Sequence, residues 1–271
     1  MIRRWTRRRP RASPRLLAIA GVLAAACAAA CGPDLDVGSD ILWSARFEGG
    51  TFDEWTLARG RGAQAFPTDP NNKVEVTTER AHTGTHAARL TIDASNAGVQ
   101  ENALLSRADD LPTEGYYSAW YYLPRSVTVE TFWVIFKFRQ RTVATDATTE
   151  AELFDLDLVD LTGGDMSVVL YDHRVGRNIP LDVTAPVVQV GRWFHIEAFY
   201  RNAPDSTGRL TYWLDGNLIK DIDGQPMAPS SWIEWDACNV GETLSPNPAV
   251  LYIDDCAISR TRVGPGGVIA R

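Results

Sequence analysis

The sequence lacks any apolar run long enough to span a membrane as a helix. Its most apolar segment, LLAIAGVLAAACAAA at residues 16–30, is shorter than the roughly 20 residues that such a helix requires. Amphipathic helical periodicity of useful length is also missing, and no internal repeat occurs. These absences argue against a helical bundle or a repeat protein, and they leave β-strands as the main structural element.

The N-terminus has the pattern of a secretory signal peptide. Residues 1–31 contain seven arginines and no acidic residue, and a short apolar run of small residues follows the basic start. Cys27 and Cys31 each follow three alanines, which resembles the signal of bacterial lipoproteins. That resemblance implies a lipid on Cys31, a tether over residues 32–40 and a place in the bacterial cell envelope. An ordinary secreted protein is the alternative.

Net charge excludes one class of partner. Without residues 1–31, the 27 Lys and Arg residues fall by seven to 20, against 34 Asp and Glu, so the net charge is −14. Such an acidic chain is not expected to bind nucleic acid. We expect a soluble monomer that meets a membrane only through the lipid anchor.

Cysteine and histidine are scarce, with four of each in the whole chain. Only Cys238 and Cys256 remain for the folded part, and two thiols without a neighbouring histidine do not make a zinc site. Because paired thiols of exported proteins are usually oxidised outside the cytoplasm, we predict a disulfide between Cys238 and Cys256. Two buried thiols are the alternative.

An alternation of apolar and polar residues dominates the chain from residue 41 to residue 262. The runs are rich in Val, Ile, Phe, Tyr and Trp, and clusters of Gly, Pro, Asn and Asp separate them. The LDGNL segment carries the Asp-Gly signal of a tight hairpin. Short strands at this spacing predict an all-β sandwich of two antiparallel sheets over residues 41–262, followed by a tail over residues 263–271.

Three segments resemble parts of concanavalin A-like jelly rolls. RWFHIEAFYRNAPDSTGRLTYWLDGNLI is similar to their aromatic strand, polar turn and hairpin, and ARFEGGTFDEW and LYIDDCAIS are similar to their opening and closing strands. The order of the strands resembles that of polysaccharide lyases of the heparin lyase I type. The resemblance implies a jelly roll that engages an acidic, uronate-containing polysaccharide and cleaves it by β-elimination. A non-catalytic carbohydrate-binding module has the same fold and is the alternative.

The segment FWVIFKFRQR, residues 132–141, separates into an apolar and a cationic side. Strict alternation places Phe132, Val134, Phe136 and Phe138 toward the core, and the opposite side carries Trp133, Lys137, Arg139 and Arg141. We predict that this second set opens onto a groove, where Trp133 stacks on a sugar and the cations bind carboxylates or sulfates. A solvated outer face is the alternative.

The same alternation in three further strands adds groove candidates: Asp155 and Asp157, Tyr171 and His173, and His195 and Glu197. A lyase needs a group that neutralises the uronate carboxylate, a base and an acid. Lys137, Arg139 and Arg141 suit the first role, His173 the second and Tyr171 the third. DLDLVD, with Asp155, Asp157 and Asp160, also resembles the catalytic strand of laminarinase-type glycoside hydrolases, although Asp replaces every Glu.

A structural calcium ion is the one cofactor expected. FEGG at residues 47–50 and YIDD at residues 252–255 resemble the calcium sites of carbohydrate-binding jelly rolls. The resemblance implies Glu48 and Asp254 or Asp255 as ligands, with carbonyl oxygens of the HTGTH turn completing the oxygen shell.

Overall fold

The computed structural model describes residues 40–55, 62–66, 71–108, 111–142, 149–228 and 232–267. The signal peptide, Cys31 and residues 32–39 of the tether lie outside these ranges, so those predictions stay untested. Among the described residues, none belongs to a helix of the length and apolarity that crossing a membrane requires.

The described residues form sixteen strands. In chain order they are β1 (Ile41–Ala45), β2 (Gly62–Phe66), β3 (Lys73–Thr77), β4 (Ala87–Ile92), β5 (Glu101–Arg107), β6 (Glu114–Tyr122), β7 (Thr128–Arg141), β8 (Glu150–Asp160), β9 (Met166–Asp172), β10 (Arg177–Ile179), β11 (Val187–Val188), β12 (Trp193–Arg201), β13 (Arg209–Leu214), β14 (Asn217–Asp223), β15 (Trp232–Ser245) and β16 (Ala249–Ser259).

The strands build two antiparallel sheets, which confirms the predicted sandwich. The first sheet has the order β14-β13-β12-β6-β16-β4-β3, with β1 paired to β16. The second has the order β10-β9-β8-β7-β15-β5-β2, with β11 paired to β9. In the middle of each sheet the neighbours come from distant parts of the chain, with β6 beside β16 and β7 beside β15, so the fold depends on long-range pairing.

The core lies between the two sheets and is rich in aromatic rings. Phe138 of β7 stacks on Tyr200 of β12 with 4.4 Å between ring centroids, and Tyr117 of β6 meets Phe138 edge-on at 5.1 Å. All three side chains are fully buried. Burial of a phenylalanine side chain contributes about 1.5–3 kcal/mol, so these contacts between sheets hold the sandwich closed.

A β-bulge in β7 changes which side chains face the core. Val134 pairs with Asp157 and Phe136 pairs with Leu156, so Ile135 is an extra residue on β7. Ile135 and Phe136 therefore both lie in the main core, and the alternation on the N-terminal side of the bulge is inverted. Phe132 and Val134 belong to a small separate cluster outside the core. The predicted inward set is correct only from Phe136 onward.

The inversion puts Trp133 on the opposite face of β7 from its predicted position. The prediction that Trp133 stacks on a sugar is wrong, because its ring lies fully buried in the main core. Its Nε1 donates a hydrogen bond to Asn239 Oδ1 at 2.7 Å. Asn239 Nδ2 in turn donates to the carbonyl oxygens of Leu90 and Ala249, so the pair links the second sheet to two strands of the first.

The predicted disulfide is also wrong, since both cysteines are free and buried. Cys238 packs in the small cluster with Leu104 and Val134, whereas Cys256 lies in the main core. The two residues belong to different sheets, β15 and β16. Burial raises the pKa of both thiols well above the ordinary value, so both stay protonated and unreactive.

His195 and Glu197 face outward from the first sheet, so the prediction that they line the groove of the second sheet is wrong. His195 packs against Trp120, with 5.0 Å between ring centroids. Glu197 accepts hydrogen bonds from Arg262 Nε at 2.9 Å and from the backbone N–H of Val263 at 2.7 Å. Glu197 therefore fastens the beginning of the C-terminal tail to β12.

We expect His195 to make the fold sensitive to acid. Burial, followed by the charges of His82 and Arg262, lowers the pKa of His195 to about 3. Because this pKa is below the unfolded value of about 6.5, the contribution of His195 to stability is complete above pH 6.5 and is lost as the pH falls toward 3. The free energy of unfolding should fall by about 2 kcal/mol by pH 5. His195→Gln should remove that part of the acid dependence. Urea unfolding at pH 7.5 and pH 5 measures it, and equal losses in both proteins would contradict the expectation.

Candidate functional site

A row of polar side chains crosses the outer face of the second sheet. Strand register aligns Asp236 of β15 with Lys137 of β7, and Lys137 with Asp155 of β8. The same row continues from Asp155 to Tyr171 of β9 and from Tyr171 to Asn178 of β10. The alternation read from the sequence thus placed Lys137, Asp155 and Tyr171 on the correct face.

A cavity of about 390 Å³ opens on this face. Its polar lining is Gln100, Thr131, Lys137, Glu152, Asp155, Asp157, Tyr171, His173 and Asn178, and its apolar lining is Phe132 and Val134. The β7 bulge turns Phe132 and Val134 outward. These two residues therefore form the apolar surface of the cavity that was predicted for Trp133. A cavity with a few convergent polar groups is the usual form of a small binding site.

One network at the base of the cavity joins Lys137, Glu152, Asp155 and His173. Lys137 Nζ lies 2.5 Å from Glu152 Oε1 and 3.8 Å from Asp155 Oδ2. His173 Nε2 lies 2.9 Å from Asp155 Oδ2 and 3.3 Å from Glu152 Oε2. Burial alone lowers the pKa of His173, but Asp155 and Glu152 outweigh it and hold the pKa above the ordinary value. Asp155 and Glu152 likewise outweigh burial at Lys137 and raise its pKa.

Tyr171 and Asp157 lie on either side of this network. The Tyr171 ring meets the His173 ring edge-on, with 4.7 Å between centroids. Asp157 is only 8% exposed, and its Oδ1 has no hydrogen-bond partner among the residues that the structure describes. Burial, followed by the charge of Asp155, raises the pKa of Asp157 to about 7. Asp157 is therefore a carboxyl group that is protonated for part of the time near neutral pH.

Arg139 and Arg141 are already paired with acidic side chains of the protein. The prediction that they bind the anionic groups of a substrate is therefore wrong. Arg139 is 3% exposed and binds Glu150, Glu234 and Asp236, with its Nε 2.8 Å from Asp236 Oδ2. Arg141 lies over the Trp232 ring at 4.4 Å and pairs with Glu150 at 3.3 Å. These acidic and aromatic partners hold both guanidinium groups, which are buried.

Four polar residues of the cavity were not predicted: Gln100, Thr131, Glu152 and Asn178. Glu152 faces the cavity because a register shift beside Phe138 puts both Leu153 and Phe154 in the core. Asn178 faces the cavity because the β9–β10 hairpin pairs Asn178 with Tyr171. Counting residues back across the turn from Tyr171 would have indicated this pairing. Gln100 precedes β5, and no pattern in its own segment marks it.

The predicted calcium ligands lie beside the turn at residues 82–86, but their oxygens face hydrogen-bond donors. Asp254 Oδ2 accepts from the backbone N–H of His82 at 2.7 Å, and Glu48 Oε1 accepts from that of Thr85 at 2.9 Å. Asp255 pairs with Arg46 at 3.3 Å. The turn thus presents N–H groups where calcium needs oxygen atoms, so this arrangement does not fit the ion. Calcium stays a prediction, and no step below depends on it.

No protein-family model and no curated protein matches the sequence. Solved structures do match the fold. The endo-β-1,4-glucuronan lyase of Trichoderma reesei aligns with a TM-score of 0.61 at 12% identity, over 82% of this chain and 97% of that one. The cellulose-induced protein Cip1 aligns at 0.54 and 15% identity, over 82% and 98%. The PL-14 alginate lyase of Aplysia kurodai aligns at 0.50 and 11% identity, over 82% and 99%.

These structures confirm the jelly-roll sandwich and show that the chain has a fold found in polysaccharide lyases. At such low identities the likeness concerns the fold alone. The narrower resemblance to lyases of the heparin lyase I type stays a prediction.

Proposed function

We propose that this protein is an exported polysaccharide lyase that binds a uronate-containing chain in the cavity of the second sheet and cleaves it by β-elimination. The observation that carries the proposal is the cluster of Tyr171, His173 and Asn178 in one cavity of about 390 Å³. The glucuronan and alginate lyases with the same fold act on uronate polymers, which supports the choice of substrate class.

β-Elimination needs the uronate carboxylate neutralised before the proton on the neighbouring carbon can leave. Arg139 and Arg141 are engaged elsewhere, so the role passes to groups that line the cavity. The amides of Asn178 and Gln100 can donate hydrogen bonds to a carboxylate. In its protonated form, Asp157 can also donate such a bond.

Tyr171 is the residue that we assign to proton transfer. In its phenolate form, Tyr171 can accept the proton from the sugar carbon, and the phenol so formed can donate that proton to the leaving oxygen, so one residue performs both steps. The sequence assigned the base role to His173. However, Asp155 and Glu152 flank His173 Nε2, so we give His173 the role of positioning the Tyr171 ring.

The hydrolase alternative finds less support. It requires Asp160 to join Asp155 and Asp157 around a glycosidic bond. Asp160 Oδ1 instead accepts a hydrogen bond from the backbone N–H of Val129 at 3.0 Å, and Asp160 does not line the cavity.

A substrate panel tests the proposal. We expect the purified protein to release unsaturated oligosaccharides from glucuronan or alginate, with heparin and chondroitin as further uronate polymers and xylan as a neutral control. Ultraviolet absorbance of the unsaturated product and mass spectrometry of the fragments measure the reaction. Binding without any unsaturated product across the panel would instead establish a carbohydrate-binding module.

A further inference from the structure

The cavity of the second sheet carries more negative than positive charge. Three carboxylates line it, Glu152, Asp155 and Asp157, against one ammonium group, Lys137. Two of its buried carboxylate oxygens, Asp155 Oδ1 and Asp157 Oδ1, have no hydrogen-bond partner among the described residues. Buried carboxylate oxygens without a partner are costly, so a bound cation would stabilise this lining.

Three side chains at the base of the cavity have the geometry of a metal-binding triad. One ligand atom each from Glu152, Asp155 and His173 lies within 4.8 Å of the others. His173 Nε2 is 2.9 Å from Asp155 Oδ2 and 3.3 Å from Glu152 Oε2. Two ligands of a tetrahedral zinc ion, bound at 2.0–2.2 Å, lie about 3.3–3.6 Å apart. Little movement would therefore bring these atoms around one ion.

Lys137 leaves this arrangement available. Its ammonium group binds Oε1 of Glu152, whereas His173 approaches Oε2 of the same carboxylate. The two oxygens of Glu152 thus face Lys137 and His173 separately, and Lys137 Nζ is 3.8 Å from Asp155 Oδ2. Asp155 also keeps Oδ1 without a partner while Oδ2 contacts His173.

We propose that Glu152, Asp155 and His173 bind one divalent transition-metal ion, of which Zn²⁺ is the best match, at the base of the cavity. Three protein ligands that include an imidazole suit zinc, and they leave a fourth position open toward the cavity. Calcium does not suit the site, because it takes six to eight oxygen ligands.

The ion has a role in the proposed reaction, and only this part rests on the proposed function. A uronate carboxylate could take the open position, where the ion would neutralise it more strongly than the amides of Asn178 and Gln100 do. The substrate would then be placed with its reacting carbon beside Tyr171. The metal site itself rests on the side-chain geometry alone.

Calorimetric titration of the chelator-treated full-length protein with ZnCl₂ tests the site. We expect one ion per chain, and we expect His173→Gln and Asp155→Asn each to weaken Zn²⁺ binding at least about tenfold. His86→Gln is the matched control, because His86 also lies near a carboxylate, with Nδ1 3.9 Å from Glu48 Oε2, but does not line the cavity. This variant should bind Zn²⁺ like the parent protein, and CaCl₂ should give no binding heat that depends on His173.

Two outcomes would overturn the metal site: absence of Zn²⁺ binding, or binding that His173→Gln and Asp155→Asn leave unchanged. Thermal unfolding with and without Zn²⁺ gives a second readout, since a ligand of the native state raises the melting temperature. The same experiments test the proposed function independently of the metal site. Zn²⁺ binding without cleavage of any uronate polymer would support the metal site and reject the lyase, and cleavage without Zn²⁺ binding would do the reverse.

Discussion

Tyr171→Phe is expected to lower kcat on the cleaved uronate polymer by about 10²–10⁴-fold while it leaves KM nearly unchanged. The substitution removes one hydroxyl group and keeps the ring, so the edge-on contact with His173 at 4.7 Å survives. If the phenol group performs both proton transfers, its loss affects the transition state far more than substrate binding. Initial rates followed by the absorbance of the unsaturated product, over a range of substrate concentrations, give both constants.

Tyr116→Phe provides the control for the loss of a tyrosine hydroxyl. Tyr116 lies on β6 of the first sheet, where its ring packs against Phe199 at 5.0 Å, and it does not line the cavity. This variant should keep the parent kcat. If Tyr171→Phe retained kcat within about twofold, with the same melting temperature, another group would be the proton donor and the assignment of Tyr171 would be wrong.

The alternation of side chains along the strands was sufficient to predict some of the residues that line the cavity. Asp155, Asp157 and Tyr171 lie on regular stretches of β8 and β9, where alternate side chains point to the same face. No irregularity intervenes between them, so a rule that counts residues places all three correctly. Lys137 follows the β7 bulge, and counting back from Phe138 places it correctly too.

Other residues of the site depend on features that no local pattern encodes. An extra residue in each of β7 and β8 moves Trp133 into the core and Glu152 into the cavity, because each bulge exchanges the two faces of its strand. Such bulges arise from pairing between strands rather than from the residues that contain them. Alternation therefore loses its predictive value at the first irregularity.

Charge pairing was equally hidden in the sequence. The row of cations on β7 indicated an anion-binding surface, yet the partners of Arg139 are Glu234 and Asp236, which follow it by 95 and 97 residues. Only the sheet order, which puts β15 beside β7, brings these charges together. The same placement explains why the predicted sugar-binding role passes from the arginines to the cavity beside Lys137.

The arginine network gives the second large prediction: Arg139→Met should destabilise the fold by about 3–5 kcal/mol at neutral pH. Arg139, Glu234 and Asp236 are all buried, and the latter two have no exposed surface. Removal of the guanidinium group leaves the two buried carboxylates without their main counter-charge, since only Arg141 remains near Glu234, at 3.7 Å. Burial and Asp236 already raise the pKa of Glu234, and the loss of Arg139 should raise that pKa further. A folded pKa above the unfolded value means that the free energy of unfolding decreases as the pH rises. The variant should therefore lose more stability relative to the parent at pH 8 than at pH 5.

Arg201→Met is the matched control, because it removes the same kind of ion pair from an exposed position. Arg201 Nε lies 2.5 Å from Glu114 Oε2, and the two side chains are 40% and 55% exposed. An exposed pair contributes about 0–1 kcal/mol, so this variant should stay close to the parent at every pH. Urea unfolding followed by tryptophan fluorescence compares the two variants, and adding Glu234→Gln to Arg139→Met should recover part of the loss. Equal effects of Arg139→Met and Arg201→Met would mean that the buried network is not what holds β7 and β15 together.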